Sequence, residues 1–292
     1  MSAHTKDYIN LHFLVFLWGF TAILGKLITI PAMEMVFYRT LLSAIGMGAL
    51  MLMRRETFSI SGNDLTKLFF TGLVVGAHWL TFFIAVKISN PSTALVGFAT
   101  CSLWAALLEP LVKKRRIQIV EVFLGTVVIV GLYIIFSFDF QYPFGLFLGI
   151  LSGITVAIFG VINSLMVQRI SSAAITFYEM TSACLGLGVS MMFMSDELHL
   201  NPSLLDWLWL LILALVCSVY AYAIAIELMK RLSVFVIQLS LNLEPVYGIL
   251  LALLIFGESE VMGWSFYLGT VIILAAVLLY PVLKSRMSTA ER

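Results

Sequence analysis

Long runs of apolar residues alternate with short polar breaks along the whole chain of 292 residues. A helix needs roughly 20 apolar residues to cross the hydrocarbon core of a bilayer, so runs of this length are typical of membrane spans. Charged residues, Pro and Asn divide the chain into ten such runs. The pattern therefore predicts an all-α integral membrane protein with ten transmembrane helices, at about 9–30, 33–53, 65–87, 91–112, 119–138, 144–166, 172–194, 204–228, 233–256 and 262–284.

The composition supports lipid as the main solvent for the outer surface of the fold. Hydrophobic residues make up 61% of the chain and charged residues 11%, whereas a soluble domain is about half apolar and about a quarter charged. The first apolar run is longer than a signal-peptide core and no A-x-A cleavage site follows it, so we expect it to remain as a span. The three cysteines lie in apolar runs without the spacing of metal ligands, and we expect no disulfide and no metal site.

Basic and acidic residues are unevenly distributed among the predicted connections. If the N-terminus is cytoplasmic, the connections on that side hold fourteen of the seventeen Lys and Arg residues: Lys6, Arg54, Arg55, Lys67, Lys113, Lys114, Arg115, Arg116, Arg169, Lys230, Arg231, Lys284, Arg286 and Arg292. The other connections carry Asp139, Asp196, Glu197, Glu258 and Glu260. Because positive residues bias short loops toward the cytoplasm, we expect both termini to lie there and the number of spans to be even.

The chain also contains an internal repeat. Aligning 33–48 with 173–188 matches Phe37, Tyr38, Gly46 and Gly48 with Phe177, Tyr178, Gly186 and Gly188, and an offset of 144 pairs Ser89 with Ser233 and Gly125 with Gly269. Each unit holds five predicted spans, and an odd number places the second unit in the opposite orientation. The basic connection 113–116 correspondingly has an acidic counterpart at 258–260. We predict two inverted five-helix repeats, at 1–140 and 141–292.

A motif in the ninth span connects this pattern to a known family. The sequence LEPVYG at 243–248, followed by FGE at 256–258, together with the short loops and five-helix halves, resembles the EamA-type members of the drug/metabolite transporter superfamily. The first half departs from the family pattern, because Thr100 and Cys101 stand where that family often has Pro. The resemblance implies a secondary transporter or facilitative exporter of amino acids, related metabolites or drugs that works by alternating access. In such proteins the substrate site lies near the midplane, between the repeats.

Glu244 lies near the centre of the ninth predicted span and is the deepest charge in the sequence. Ionisable groups at this depth are functional candidates because burying them is expensive. Pro245 lacks an amide donor and leaves the carbonyl near Leu241 free, which opens the helix locally. We interpret Glu244 as a site for a proton or an ammonium group; the alternative is a structural carboxyl paired with Asn242 or Asn163.

Two cations, Lys26 and Arg39, lie in the outer halves of the first two predicted spans. Either is able to hold a substrate carboxylate, and Arg does so with two parallel hydrogen bonds. The alternative for each is extension of the side chain to the membrane surface, or pairing with Glu34 or an acidic loop.

Glu179 occupies nearly the same position in the second repeat as Arg39 in the first. Inversion places the two residues at mirrored depths, on the order of 10 Å apart along the membrane normal at a rise of about 1.5 Å per residue. We therefore assign them to opposite gates. As a hypothesis, Glu179 pairs with Arg169 or Lys230 at an inner gate.

His78, Trp79 and Trp104 are the remaining candidates, in the third and fourth predicted spans. An imidazole is able to titrate near neutral pH, and indoles offer an aromatic face to a ligand or a cation. The alternative for His78 is a structural hydrogen bond. For a second Glu-Pro pair, Glu109 and Pro110, we favour pairing of the carboxylate with Lys113, and for the G-x-x-x-G faces at 145–153 and 72–76 we favour close helix packing.

The preferred hypothesis is transport of a small zwitterion such as an amino acid. Lys26 or Arg39 holds its carboxylate, Glu244 its amino group or a coupling proton, and Trp79 and Trp104 shape the pocket. A flippase for lipid-linked or amphiphilic substrates is the alternative. The sequence has no H-E-x-x-H or G-x-S-x-G motif and no sign of a nucleotide site, so we expect neither an enzyme nor a cofactor. We expect a monomer in the bacterial inner membrane, with a proton as candidate coupling ion and no nucleic-acid partner.

Overall fold

The computed structural model describes residues 3–89, 91–136, 142–193, 201–244, 246–248, 251 and 264–290. Within these ranges the secondary structure is helical throughout, as the apolar runs predict. The helices are α1 (Ala3–Leu27), α2 (Ala32–Met53), α3 (Gly62–Ile88), α4 (Pro91–Phe98), α5 (Cys101–Val112), α6 (Ile119–Phe136), α7 (Pro143–Met166), α8 (Ser172–Met192), α9 (Leu204–Ala214), a π-helical segment (Leu215–Tyr220), α10 (Ala221–Leu228), α11 (Val234–Leu241) and α12 (Trp264–Ala290).

Six stretches of helix in the described residues are long and apolar enough to cross a membrane: Thr5–Gly25, Ala32–Met53, Gly62–Ile88, Thr93–Val112, Pro143–Met166 and Leu204–Leu228. Two shorter apolar helices, Ile119–Ile135 and Trp264–Tyr280, coincide with the fifth and tenth predicted spans. The predicted span ends at 138, 194 and 256 lie outside the described residues, as do the acidic residues Asp139, Asp196, Glu197, Glu258 and Glu260.

Three of the predicted spans are interrupted. The fourth is broken at residues 99–100, between α4 and α5, and the ninth turns at residues 242–243, directly after α11. An offset of 143 relates these two breaks, within one residue of the offset that pairs Ser89 with Ser233, so the repeats are interrupted at nearly equivalent positions. The eighth span contains the π-helical segment instead. Discontinuous helices in transporters expose backbone and reorient side chains around binding sites.

Reciprocal contacts relate the second helix of each repeat. A Cβ added to Gly48 of α2 would lie 3.0 Å from the ring of Phe177, and one added to Gly188 of α8 would lie 3.4 Å from the ring of Phe37. The early residue of each helix thus meets the late residue of the other, so α2 and α8 run antiparallel. These are the contacts expected when two repeats face each other in opposite orientations.

The glycine face of α7 serves close helix packing, as predicted. A Cβ added to Gly149 would lie 2.7 Å from the carbonyl oxygen of Ala94, and one added to Gly153 would lie 2.7 Å from the hydroxyl of Thr100. Both separations are too short for any larger residue. The backbones of α7 and the broken fourth span therefore approach each other closely, as small residues allow in membranes.

Candidate functional site

A cavity of about 90 Å³ lies between the two repeats. The first repeat contributes α1 to α4 to its walls, and the second contributes α7, α10, α11 and the residue that follows the turn after α11. Most of the lining is aromatic or aliphatic. The polar exceptions, apart from the two indoles, are Thr21, Arg39, His78, Tyr222, Gln238 and Glu244.

Arg39 of α2 is buried, with 3% of its surface exposed. Its Nε donates to the hydroxyl of Ser218 at 2.8 Å, and its Cζ lies 3.9 Å from the ring centroid of Trp79. The guanidinium is therefore held by the hydrogen bond at Nε and by the ring of Trp79 against one face. No carboxylate within the described ranges forms an ion pair with it.

The π-helical segment positions the partner of Arg39. A π-turn carries an extra residue and rotates the side chains that follow, and such turns are frequent at functional sites. Here the hydroxyl of Ser218 also donates to the carbonyl of Leu213, five residues earlier, at 3.2 Å. The carbonyl of Cys217 in turn accepts a 2.9 Å bond from the indole of Trp18. The segment thus joins α1 and α2 to the second repeat.

Glu244 also lines the cavity and directly follows the turn at 242–243. Its Oε1 accepts from the hydroxyl of Thr21 at 3.3 Å, and the carboxylate and the Arg39 guanidinium attract each other without forming an ion pair. The turn agrees with the opening expected next to Pro245, which itself lies outside the described residues. Gly19 of α1 allows the close approach, because a Cβ there would lie 3.3 Å from the carbonyl oxygen of Glu244.

The imidazole of His78 lies within hydrogen-bond distance of Ser152 and also lines the cavity. Its Nδ1 lies 2.9 Å from the hydroxyl of Ser152 on α7 and 3.0 Å from the carbonyl of the same residue. The imidazole packs between the rings of Phe98 and Phe159, with centroids 5.8 and 5.5 Å away. These contacts fix the orientation of the ring at the cavity wall.

Tyr222 of α10 connects the cavity to a second buried carboxyl. Its ring lines the cavity beside Trp79, with centroids 6.1 Å apart, and its hydroxyl donates to Oε2 of Glu179 at 2.8 Å. Asn163 Nδ2 donates to the same carboxylate oxygen at 3.2 Å. Glu179 is fully buried and has no ion-pair partner in the described part of the chain.

At one end of the helix bundle, acidic and basic side chains form ion pairs with each other. We call the end that contains the connection between α5 and α6 the basic end. There Glu109 pairs with Lys113 at 2.9 Å and with Arg115 at 3.1 Å, and it accepts the amide of Phe235 at 3.2 Å. The predicted pairing of Glu109 with Lys113 is thus confirmed. The hydrogen bond from the backbone amide of Phe235 to Glu109 also holds the start of α11 against the first repeat.

Two further ion pairs join the repeats at the basic end. Arg231 forms two parallel bonds with Asp7, at 2.8 and 2.9 Å, and Arg169 pairs with Asp64. The carboxylate of Asp7 raises the pKa of the Arg231 guanidinium above its usual value.

Four of the seven residues proposed from the sequence line the cavity: Arg39, His78, Trp79 and Glu244. Glu179 reaches it through Tyr222, and the pairing expected with Arg169 or Lys230 does not occur, because those cations pair with Asp64 and Glu227. Trp104 is not brought to the cavity. Its indole donates to the hydroxyl of Thr100 at 3.2 Å and packs in a separate apolar cluster. The side chain of Lys26 lies outside the described residues.

Sequence reasoning did not select Thr21, Ser218, Tyr222 or Gln238 for the site. Neutral polar residues are common in spans and carry no charge to mark them. One signal was available: Ser218 and Tyr222 are four residues apart, as are Gln238 and Asn242, and residues at this spacing share a helix face. Within the described ranges, no group of three or more His, Cys, Asp or Glu side chains is placed to hold a metal ion.

Comparison with known proteins agrees with this architecture. A solved structure described only as "Crystal structure of protein" superposes with a TM-score of 0.80 over 97% of this chain and 99% of that one, at 15% sequence identity, which establishes a shared fold. No curated protein sequence matches the chain significantly. The model of the EamA-like transporter family matches twice, over residues 7–137 and 143–280, once in each predicted repeat. The two family matches span nearly the whole chain, and the protein therefore belongs to the EamA-like transporter family of membrane transporters.

Proposed function

We propose that this protein is a secondary transporter or facilitative exporter of small zwitterions, amino acids or close relatives, with its substrate site in the cavity between the repeats. The observation that carries the proposal is the presence of Arg39 and Glu244 in one cavity, with opposite charges and no ion-pair partner among the described residues.

An unpaired buried charge is costly, by several kcal/mol per ion even after relaxation. Such a cost is tolerated where a ligand supplies the missing partner. A zwitterion carries both complements: its carboxylate binds Arg39 through the guanidinium fork, and its ammonium binds Glu244. Trp79 holds the guanidinium plane through its ring face, so little side-chain entropy is lost on binding.

The proposed mechanism is alternating access, with the repeats exchanging conformations around the cavity. Support comes from the walls, which both repeats supply, and from the antiparallel contacts of α2 and α8. The breaks at 99–100 and 242–243 interrupt the regular α-helix of both repeats beside the site. Inverted repeats of this kind favour two states of similar energy.

For the orientation we propose cytoplasmic termini in a bacterial inner membrane, because fourteen of the seventeen Lys and Arg residues then lie on the cytoplasmic side. Reporter fusions at the C-terminus and in the connection 113–118 test this proposal. Both fusions report the cytoplasm if it is right, and a periplasmic signal from either contradicts it.

The transport proposal is tested by uptake of a mixed pool of labelled amino acids into liposomes that contain the purified protein. We expect saturable uptake in the wild type and a loss of about tenfold or more in Glu244→Gln, since a charge-assisted hydrogen bond contributes about 1.5–3 kcal/mol. The matched control is Glu227→Gln, which removes an exposed carboxylate paired with Lys230. Absence of uptake by a folded wild-type protein contradicts the zwitterion proposal and directs attention to lipid-linked substrates.

A further inference from the structure

The buried group formed by Glu179, Tyr222 and Asn163 has too few hydrogens for its acceptors. Tyr222 donates its only hydroxyl hydrogen to Oε2 of Glu179 at 2.8 Å. The amide of Asn163 donates to the same oxygen at 3.2 Å and to the hydroxyl oxygen of Tyr222 at 3.3 Å. All three available hydrogens are then used.

Two acceptors of the group have no donor among the described residues, namely Oε1 of Glu179 and Oδ1 of Asn163. Buried polar atoms are nearly always hydrogen-bonded, and an exception requires a physical explanation. One proton on Oε1 of Glu179 changes that oxygen from an acceptor into a donor. The bonds already made to Oε2 stay in place, so a proton on Oε1 removes one of the two unsatisfied acceptors without disturbing the group.

The group lies directly behind the cavity wall. The ring of Tyr222 lines the cavity between Trp79 and Phe159, with centroids 6.1 and 6.0 Å away. A substrate that displaces this ring also moves the hydroxyl that binds Glu179. The protonation state of Glu179 and the occupancy of the cavity are therefore mechanically connected through one side chain.

The surroundings of Glu179 supply no competing counter-charge among the described residues. From α3, Gly72 packs against the Glu179 backbone, and His78 binds Ser152. From α2, Arg39 donates to Ser218 at 2.8 Å and forms no ion pair with Glu179.

The other described elements around Glu179 also provide no cation as a partner for it. From α7 the contact is the uncharged Asn163, and on α8 itself the hydroxyl of Tyr178 donates to the carbonyl of Phe58. From α10 the titratable contact is Tyr222, because Glu227 pairs with Lys230 at the surface.

We propose that Glu179, held by Tyr222 and Asn163, is the proton-binding site that couples transport to a pH gradient, while Glu244 binds the substrate ammonium. The proposal rests on the proposed transport function and assigns its coupling ion. In each cycle the Glu179 carboxylate takes up one proton on Oε1 from one side of the membrane and releases it on the other. No bond other than O–H forms or breaks, and no oxidant or reductant is needed.

The test separates driven transport from exchange, using the same mixed pool of labelled amino acids in liposomes. We expect the wild type to respond to an imposed pH gradient. Glu179→Gln keeps the shape of the side chain but carries no titratable proton, so it should lose the gradient response and keep counterflow within about twofold. Glu227→Gln is the matched control and should retain both activities.

Outcomes that contradict the two proposals are distinct. Wild-type counterflow without any gradient response, or a gradient response retained in Glu179→Gln, overturns the assignment of Glu179 and leaves the transport function intact. No wild-type transport of any kind contradicts the transport function. Infrared spectroscopy then still tests the site, because the wild type should show a protonated carboxylic acid band that Glu179→Gln lacks. Identical spectra overturn the proposal.

A second variant covers the case in which Glu179→Gln does not fold. Tyr222→Phe keeps the aromatic wall and removes only the hydroxyl that donates to the Glu179 carboxylate. Since a hydrogen bond to the charged form is lost, we expect the midpoint of the pH dependence of uptake to move to higher pH. An unchanged midpoint argues against a proton on Glu179.

Discussion

Charged residues of the basic end and of the cavity differ in their partners. At the basic end, Glu109 has two cations and a backbone amide as partners, and Asp7 and Arg231 share two parallel bonds. In the cavity, the described partners of Arg39 and Glu244 are neutral: a serine hydroxyl with an indole face, and a threonine hydroxyl.

Under the proposed function, this difference separates charges that stabilise the fold from charges that bind the substrate. A carboxylate that is satisfied by cations and amides stabilises the contact between elements, whereas one with neutral partners retains capacity for a ligand. Substitutions at the basic end should therefore change stability, and substitutions in the cavity should change transport. The predictions below test this separation, from the largest expected effect to the smallest.

The largest effect is expected for Arg39→Ala. Losing a bidentate bond to a substrate carboxylate removes about 3 kcal/mol, which corresponds to a loss of about 100-fold in affinity. Uptake into liposomes as a function of substrate concentration measures it. Arg169→Ala, which removes a cation that is already paired with Asp64, is the control. Equal effects of the two substitutions would contradict the separation.

Glu109→Ala should mainly lower stability. It leaves the amide of Phe235 without its acceptor and removes the ion-pair partner of Lys113 and the nearer of the two carboxylates beside Arg115, at a cost of about 2 kcal/mol. Thermal unfolding in detergent should show a lower Tm, while uptake per folded molecule stays within about twofold of the wild type. A large loss of uptake at an unchanged Tm would instead assign Glu109 to the transport machinery.

The two tryptophans proposed from the sequence should behave differently. Trp79→Ala removes the ring face under Arg39, which contributes about 1–2 kcal/mol in a desolvated setting, so apparent affinity should fall about tenfold. Trp104→Ala removes a bond to Thr100, and neither residue lines the cavity, so it should change the apparent affinity less than about twofold. Similar losses in both variants would place Trp104 in the site after all.

The smallest effect is expected for Asp7→Asn, because Arg231 is partly exposed. The substitution should destabilise the protein by about 0.5–1 kcal/mol, less at high salt, as measured by thermal unfolding. Since Asp7 raises the pKa of Arg231, the contribution is present below the ordinary arginine pKa and is lost only when the pH rises through the higher folded value. The effect should therefore stay constant as the pH rises from neutral to mildly alkaline; a loss over that range would contradict it.

Much of the fold could be predicted from the sequence because it follows from local patterns. Apolar runs of fixed length specify the spans, glycines at every fourth position specify close packing of α7, and Glu109 pairs with a lysine one turn away. The charged members of the cavity were also predictable, since a charge inside an apolar run is rare and conspicuous. Arg39 and Glu244 were proposed on this ground alone.

The neutral members of the site and the partners of each charge depended on contacts between distant segments. Thr21 meets Glu244 across more than two hundred residues, and Glu179 binds Tyr222 rather than the cations expected from sequence. The π-helical turn that carries Ser218 toward Arg39 changes the helix register, which no periodicity in the sequence marks.

The sequence by itself determined that the chain is a membrane protein built from two repeats, and it identified several of the charges that lie inside the apolar runs. Hydrophobic length and charge type act within each segment, so these properties can be derived without knowing how segments meet. Only the tertiary structure decided which charges pair between distant segments. That choice depends on where interrupted helices from both repeats place their side chains, and it separates the paired charges of the basic end from Arg39 and Glu244 of the cavity, which have no ion-pair partner among the described residues.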